Sequence, residues 1–263
     1  MFLGNRMIEV LLIGIGTGHP DHLTLEAVKA LKTADIVLIP LKGTEKSELA
    51  DVRRRLVTKI VDDPDGRLVE FEMPQRDVAN PNYLAGVEDW HRRVAATWQR
   101  EINTHVGSDG RVALLVWGDP SLYDSTLRIA GRLSKQGVQA TVRVIPGITS
   151  LQLLTAAHAI PLNTVGGAAQ LTTGRRLREE GWPEGVESVA VFLDSGGAFD
   201  TLPADCFEIY WGAYLGMPQE VCIAGPLSNV ADEILKVRAT ARAAHGWIMD
   251  VYLLRRSHRS DAP

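Results

Sequence analysis

The chain has 263 residues, 45% of them hydrophobic and 23% charged, enough for one large or two modest globular domains with ordinary cores. A formal net charge of −4 argues against a general nucleic-acid binder, and the two cysteines, Cys206 and Cys222, form neither a metal-type pair nor a disulfide framework. The N-terminus MFLGNRMIEV has no signal-peptide pattern, and no apolar run nears the roughly 18 residues of a membrane span, so a soluble, cytoplasmic protein is expected.

Strand and helix signals alternate along the first half. EVLLIGIG, from Glu9, reads as a buried strand, TLEAVKALKTAD as a helix N-capped by Thr24, and DIVLIP as a second buried strand closed by Pro40. Short apolar runs between helical patterns predict parallel strands with helices on both faces. From about residue 43 to 110 the chain is more polar and carries a long helix from NPNYLAG onward, with Leu84, Val87, Trp90, Val94, Trp98 and Ile102 at helical spacing. GSDGR makes a turn before VALLVWGD, the third strand. Asp119 is placed to N-cap the next helix, Pro120 stands at its first position, and Gly137 follows its last turn. TVRVIPGITS is a strand ending in a glycine turn, and SLQLLTAAHA is a small-residue helix.

The character changes near residue 165. AAQLTTG, SVAVFLDS, CFEIYWGA and EVCIAGPL are strand candidates with shorter helices between them, followed by a helix over ADEILKVRATARAA and a closing strand over WIMDVYLL. The expectation is an α/β chain without internal repeats. A mostly parallel N-terminal domain covers residues 1–136, a mixed-sheet C-terminal domain covers 137–255, and a frayed polar tail covers 256–263.

The turn GIGTGHP at Gly14–Pro20 poses the first functional question. A dinucleotide fingerprint needs G-x-G-x-x-G and an acidic residue about 20 positions later. His19 stands at the third glycine position, and the second strand ends in Ile39–Pro40 without a carboxylate, so both conditions fail. The plain alternative is a strand-to-helix turn whose glycines permit positive φ. WGDPSLYDS lies at the carboxyl end of a strand, where open α/β sheets place ligands, and PGITS at Pro146–Ser150 repeats the pattern of strand, glycine turn and hydroxyls.

These three motifs, in this order and at these spacings, resemble the tetrapyrrole methylase family, the class III S-adenosylmethionine-dependent methyltransferases. The later elements VFLDS, YWGA and AGPL continue the resemblance, which spans nearly the whole chain. It implies two α/β domains with the active-site cleft between them, a homodimer, a tetrapyrrole substrate, and S-adenosylmethionine as methyl donor with S-adenosylhomocysteine as product. It implies no metal, nucleic-acid or membrane partner. Carried over position by position, the cofactor contacts are Thr17, Gly118, Asp119, Leu122, Thr149, Ser150, Leu193 and Gly212. Thr17 stands where some relatives have proline, and Leu193 where relatives often have methionine. WGDPSLYDST departs from the longer glycine-rich loop of the uroporphyrinogen-type enzymes. Together with the Trp-bearing insertion at residues 80–106, GPLSNVADEIL and WIMDVYLLRR, it resembles the cobalamin branch that methylates C1 of precorrin-5 and releases an acetyl group as acetate. Another precorrin C-methylase, such as a precorrin-2 C20 enzyme, and a non-catalytic tetrapyrrole carrier are the competing expectations.

Methyl transfer from a sulfonium mainly requires donor and acceptor carbons held in line within a dry site. Deacetylation additionally requires a base for water and a donor to the acetyl oxygen. The candidates are His19, Tyr123, Asp124 and His158, although Tyr123 and Asp124 fall in an expected first helical turn and His158 on a helix that packing alone explains. Arg53–Arg55, Arg175, Arg176 and Arg178 are the dense basic positions for substrate carboxylates, or else solvated helix faces.

Overall fold

The computed structural model describes residues 7–41, 47–61, 64, 66–77, 79 and 81–257. The chain divides into two compact units, Met1–Thr149 and Ser150–Pro263.

The first unit contains β1 (Ile8–Gly14), α1 (Leu25–Thr33), β2 (Ile36–Leu41), α2 (Ser47–Ile60), β3 (Leu68–Glu72), α3 (Tyr83–His105), β4 (Gly110–Val116), α4 (Thr126–Ala130) and β5 (Ala140–Ile145). Its strands pair in parallel in the order β3-β2-β4-β1-β5. The central strands are apolar on both faces because helices cover both, and Val10, Leu12, Leu38, Val112 and Leu114 are buried. Thr24 caps α1 as its position suggested, accepting from the Ala27 N–H at 3.0 Å.

Several expectations are corrected here. TVRVI joins the first sheet, because β5 pairs with β1 over Ile8–Ile13, so the division falls after Thr149 rather than after residue 136. The polar stretch after residue 43 holds α2 and β3 as well as the long helix. The charges of DVRRRLV obscure the buried face of α2 at Ala50, Val52, Leu56 and Val57, and β3 is a five-residue edge strand of alternating burial. On α3, Val94, Trp98 and Ile102 enter the core, but Leu84 in the first turn is 76% exposed. Asp119 caps no helix and Pro120 begins none: α4 starts only at Thr126, and Gly137 closes a 3-10 turn instead. The GDP segment is therefore a loop.

The second unit contains α5 (Ser150–Ala157), β6 (Ala169–Thr173), α6 (Gly174–Glu180), β7 (Ser188–Phe192), β8 (Phe207–Ala213), β9 (Val221–Pro226), α7 (Leu227–His245) and β10 (Asp250–Arg256). The sheet order is β6-β7-β10-β8-β9, parallel between β6 and β7 and antiparallel elsewhere. Arg255 and Arg256 pair with Glu208 and Phe207, so the closing strand runs past the expected start of the tail at residue 256. Residues 258–263 lie outside the described residues. Among the described residues no helix is long and apolar enough to cross a membrane, and no three His, Cys, Asp or Glu side chains converge as metal ligands.

Candidate functional site

In the first unit, the parallel register aligns Gly14 with Val116 and Ile13 with Ile145, so the loops after β1, β4 and β5 open on one rim of the sheet. Glycine backbones knit these loops together. Gly16 and Gly118 form an isolated antiparallel bridge, with the Gly118 N–H donating to the Gly16 carbonyl at 2.7 Å. A Cβ on Gly14 would stand 2.6 Å from the Gly147 nitrogen and 2.8 Å from the Gly118 oxygen, so the three strands' ends touch through bare backbone. Above Gly118 the situation reverses. Its φ is +62°, and an added Cβ would meet only the Thr149 Cα, at 3.7 Å, which leaves the loop's outer side open.

Asp119 joins the GDP and PGITS loops. One carboxylate oxygen accepts from the Ser121 N–H and hydroxyl, and the other accepts from the Gly147 N–H at 2.9 Å. Burial opposes its ionisation, but the bonds from the Ser121 hydroxyl and from the Gly147 and Ser121 N–H groups outweigh that, holding the carboxyl below the usual range. Asp119 therefore works as a loop clasp.

The same rim carries Thr17, His19, Leu122, Tyr123 and Asp124. Tyr123 holds φ at +50°, a left-handed conformation that side-chain-bearing residues rarely adopt, and is 41% exposed. Asp124 is occupied, accepting from the Thr126 N–H at 2.6 Å at the start of α4. His19 accepts from the Asp21 N–H through Nδ1. Trp117 lies beneath Gly18, where a Cβ would meet its ring at 3.0 Å, and the Arg53 guanidinium stacks 5.2 Å from the Trp117 ring centroid.

Arg53 is no surface carboxylate reader. It is 7% exposed, donates to the Leu115 and Leu49 carbonyls, and burial lowers its pKa to about 10 against the attraction of Asp124. Arg54 pairs with Asp51 and Glu70. On α6, Arg175 and Arg176 pair with Glu179 and Glu180 one turn away, which is the solvated-face arrangement. Arg178 turns instead to Asp194, at 3.2 Å.

In the second unit, Tyr252 of β10 pairs with both Val191 and Trp211, so β7 and β8 end at the same edge and place Leu193 and Gly212 on either side of β10. Leu193 is 68% exposed and left-handed, with φ +50°. The loop after it is fixed by Asp194, which accepts from the Gly196 N–H, the Ala198 N–H and, at 2.8 Å, the Tyr252 hydroxyl. Burial alone would raise the Asp194 pKa, yet the Ala198 and Gly196 N–H groups, Tyr252 and Arg178 together lower it. Arg238 of α7 donates to the main-chain carbonyls of Asp194 and Ser195 and to Asp250 at 2.8 Å. Asp250 also accepts from the Trp211 indole N–H. Through this chain the Leu193 loop and the Trp211–Gly212 strand end share one buried ion pair. The sequence reading missed these residues, although Asp194 at the end of SVAVFL and Asp250 within the apolar run WIMDVYLL were the visible signal. Ser150 opens α5, and His158 follows its last turn.

Asp119 and Asp194 set an acid limit. A carboxylate whose folded pKa lies below its unfolded value of about 3.9 contributes stability that is complete above that value and lost as pH falls through the folded pKa. For these two groups, urea midpoints are expected to hold from pH 7 to about pH 4 and to fall steeply below it.

Comparison with known proteins now decides the family. Residues 9–231 match the family model of the Tetrapyrrole (Corrin/Porphyrin) Methylases. The chain belongs to the tetrapyrrole methylases. It is 48% identical to the precorrin-6A synthase [deacetylating] of a Sinorhizobium species over 95% of this chain and 96% of that one. The precorrin-2 C(20)-methyltransferase of a Sinorhizobium species is 31% identical, over 64% of this chain and 69% of that one. Among solved structures, a protein described as cobalamin-synthesis-related from Corynebacterium diphtheriae superposes with a TM-score of 0.81 at 36% identity, covering 95% and 99% of the two chains. A Thermus thermophilus uroporphyrin-III C-methyltransferase complexed with S-adenosylhomocysteine has a TM-score of 0.55 at 21% identity, covering 94% and 97%, and shares the fold. For a tetrapyrrole methylase, the glycine turn of β1 needs no nucleotide fingerprint, because its glycines serve the close approach of three strand ends.

Proposed function

We propose that the chain methylates C1 of precorrin-5 from S-adenosylmethionine and releases the acetyl group as acetate, giving precorrin-6A. The supporting observation is the end-to-end similarity to a deacetylating precorrin-6A synthase, which the precorrin-2 C20 relative matches over a much shorter span. A homodimer in the cytoplasm is part of the same reading, and sedimentation of the purified protein tests the dimer.

The residues present fit S-adenosylmethionine. The rim of the first unit offers open backbone above Gly118, with Thr17 and Thr149 beside it and Leu122 as apolar wall. The second unit offers Ser150 and the exposed Leu193 side chain, whereas Gly212 is buried within β8 between β9 and β10 and packs against Leu154 and Leu215. When bound, the cofactor supplies an activated methyl group. The chain's task is to hold donor and ring carbon in line and to keep the site dry, with Leu122 and Leu193 excluding water and the Asp119 and Asp194 clasps fixing the loops that carry them.

Incubation with precorrin-5 and methyl-labelled S-adenosylmethionine tests the reading. Label in the macrocycle with stoichiometric acetate is expected, and label without acetate would move the enzyme to another methylation step. Leu193→Gly separates strain from contact. Relief of the left-handed side chain is expected to raise stability by about 1 kcal/mol. Loss of the apolar wall should weaken S-adenosylhomocysteine binding about tenfold by calorimetry. Changes of the same sign in both readouts would contradict this assignment.

A further inference from the structure

We infer that His158 is the general base that activates water against the acetyl carbonyl, acting through Nδ1; this rests on the deacetylating reading above. His158 Nε2 lies 3.1 Å from the Trp211 carbonyl oxygen. A carbonyl oxygen only accepts, so Nε2 carries the proton and Nδ1 keeps its lone pair. Nδ1 has no hydrogen-bond partner among the described residues, and the residue is half-buried. A base oriented by a third group through its other nitrogen is the arrangement that proton abstraction requires.

Three local features aim the ring. The Trp211 carbonyl immediately precedes Gly212, a position the family resemblance gives to the cofactor. The Tyr210 ring meets the imidazole edge-on, with centroids 5.6 Å apart. The backbone then turns sharply. Ala159 is left-handed at φ +52°, with its N–H donating to the Ala156 carbonyl and the Ile160 N–H donating to the Thr155 carbonyl at 3.0 Å, which ends α5 on a Schellman motif. Alanine in that conformation costs about 1 kcal/mol that glycine would avoid, a strain of the kind found where a side chain must be placed.

The other candidates are engaged differently. His19 accepts through Nδ1, so in its neutral form Nε2 bears the proton and the remaining lone pair is already engaged. Asp124 is engaged by the Thr126 N–H at the start of α4 and lies in the field of Arg53. Tyr123 as a phenol has no lone pair basic enough at neutral pH.

The step balances. A water proton passes to His158 Nδ1 while the water oxygen bonds to the acetyl carbonyl carbon. Collapse breaks the bond between that carbon and ring C1, releasing acetic acid, which ionises to acetate. The electron pair of the broken bond remains on C1; with the methyl donor bound it would form the bond to the methyl carbon as the methyl–sulfur bond breaks, its electron pair going to sulfur, and the imidazolium returns its proton to solvent. On the strands packed against α5, Tyr210 and Glu208 of β8 and Arg255 of β10 are the titratable or charged groups on the face that meets this ring, with Arg255 stacked over Tyr210 and the Tyr210 hydroxyl donating to Glu208. α5 itself carries no charged residue.

The test uses the full chain. Nitrogen-15 spectra of the wild-type imidazoles should show His158 protonated at Nε2 and unprotonated at Nδ1; the opposite tautomer would overturn the assignment. His158→Gln keeps an N–H for the Trp211 carbonyl but has no basic nitrogen. It should bind S-adenosylhomocysteine within about threefold of wild type, while acetate release slows by about 10²–10⁴-fold. Retained acetate release would overturn the inference. So would parallel loss of cofactor binding and acetate release, which would make His158 a structural clamp. Wild-type protein that releases no acetate from precorrin-5 would instead refute the proposed function.

Discussion

Gly147→Ala is expected to lower folding stability by about 3 kcal/mol and to remove S-adenosylhomocysteine binding. The added Cβ would land on the Gly118 carbonyl oxygen and stand 2.7 Å from the Gly14 carbonyl carbon. Both are main-chain atoms of strand ends held in a parallel sheet, so neither can rotate away as a side chain would. The strand ends must part, and the Gly147 N–H then leaves Asp119. Urea unfolding and calorimetry read the two effects. Gly131→Ala is the control: its φ is −62° and its nearest neighbour stands at 3.7 Å, so alanine there should be neutral or stabilising by up to about 1 kcal/mol. Equal shifts in both variants would refute the crowding argument.

Arg238→Met should cost about 3–5 kcal/mol, the range for breaking a buried ion pair from one side. The Arg238 and Asp250 side chains are only 10% and 6% exposed, so the carboxylate left behind cannot be rehydrated without opening the sheet edge. The carbonyls of Asp194 and Ser195 lose their donor at the same time. Asp250→Asn is expected to cost clearly less, because the amide oxygen still accepts from the Trp211 indole and from Arg238. Urea midpoints at pH 7 rank the two variants. A methionine variant no less stable than the asparagine variant would show that the pair contributes little.

Most strands and long helices were legible in the sequence. Two-sided burial writes continuous apolar runs, as in VLLIG and VALLV, and helical burial writes the spacing of Val94, Trp98 and Ile102. β3 and α2 were not legible: a short edge strand carries few buried positions, and α2 buries Arg53 among its arginines. The family and its ordered loops were legible because backbone approach demands glycine at fixed places, which no other residue supplies.

What the sequence determined by itself is therefore the alternation of elements, the two-sheet architecture and the three glycine loops, since each depends on local periodicity or on the absence of a side chain. Only the tertiary structure decided what the charged groups do. Asp119 reads locally as a helix cap, yet its partner is Gly147, 28 residues away. Arg238 reads as one more charge on an amphipathic helix, yet it ties Asp250 to the Leu193 loop. His158 gains its tautomer from Trp211, 53 residues distant. Hydrogen-bond partners of buried polar groups are chosen by long-range packing, and no local pattern in the chain encodes that choice.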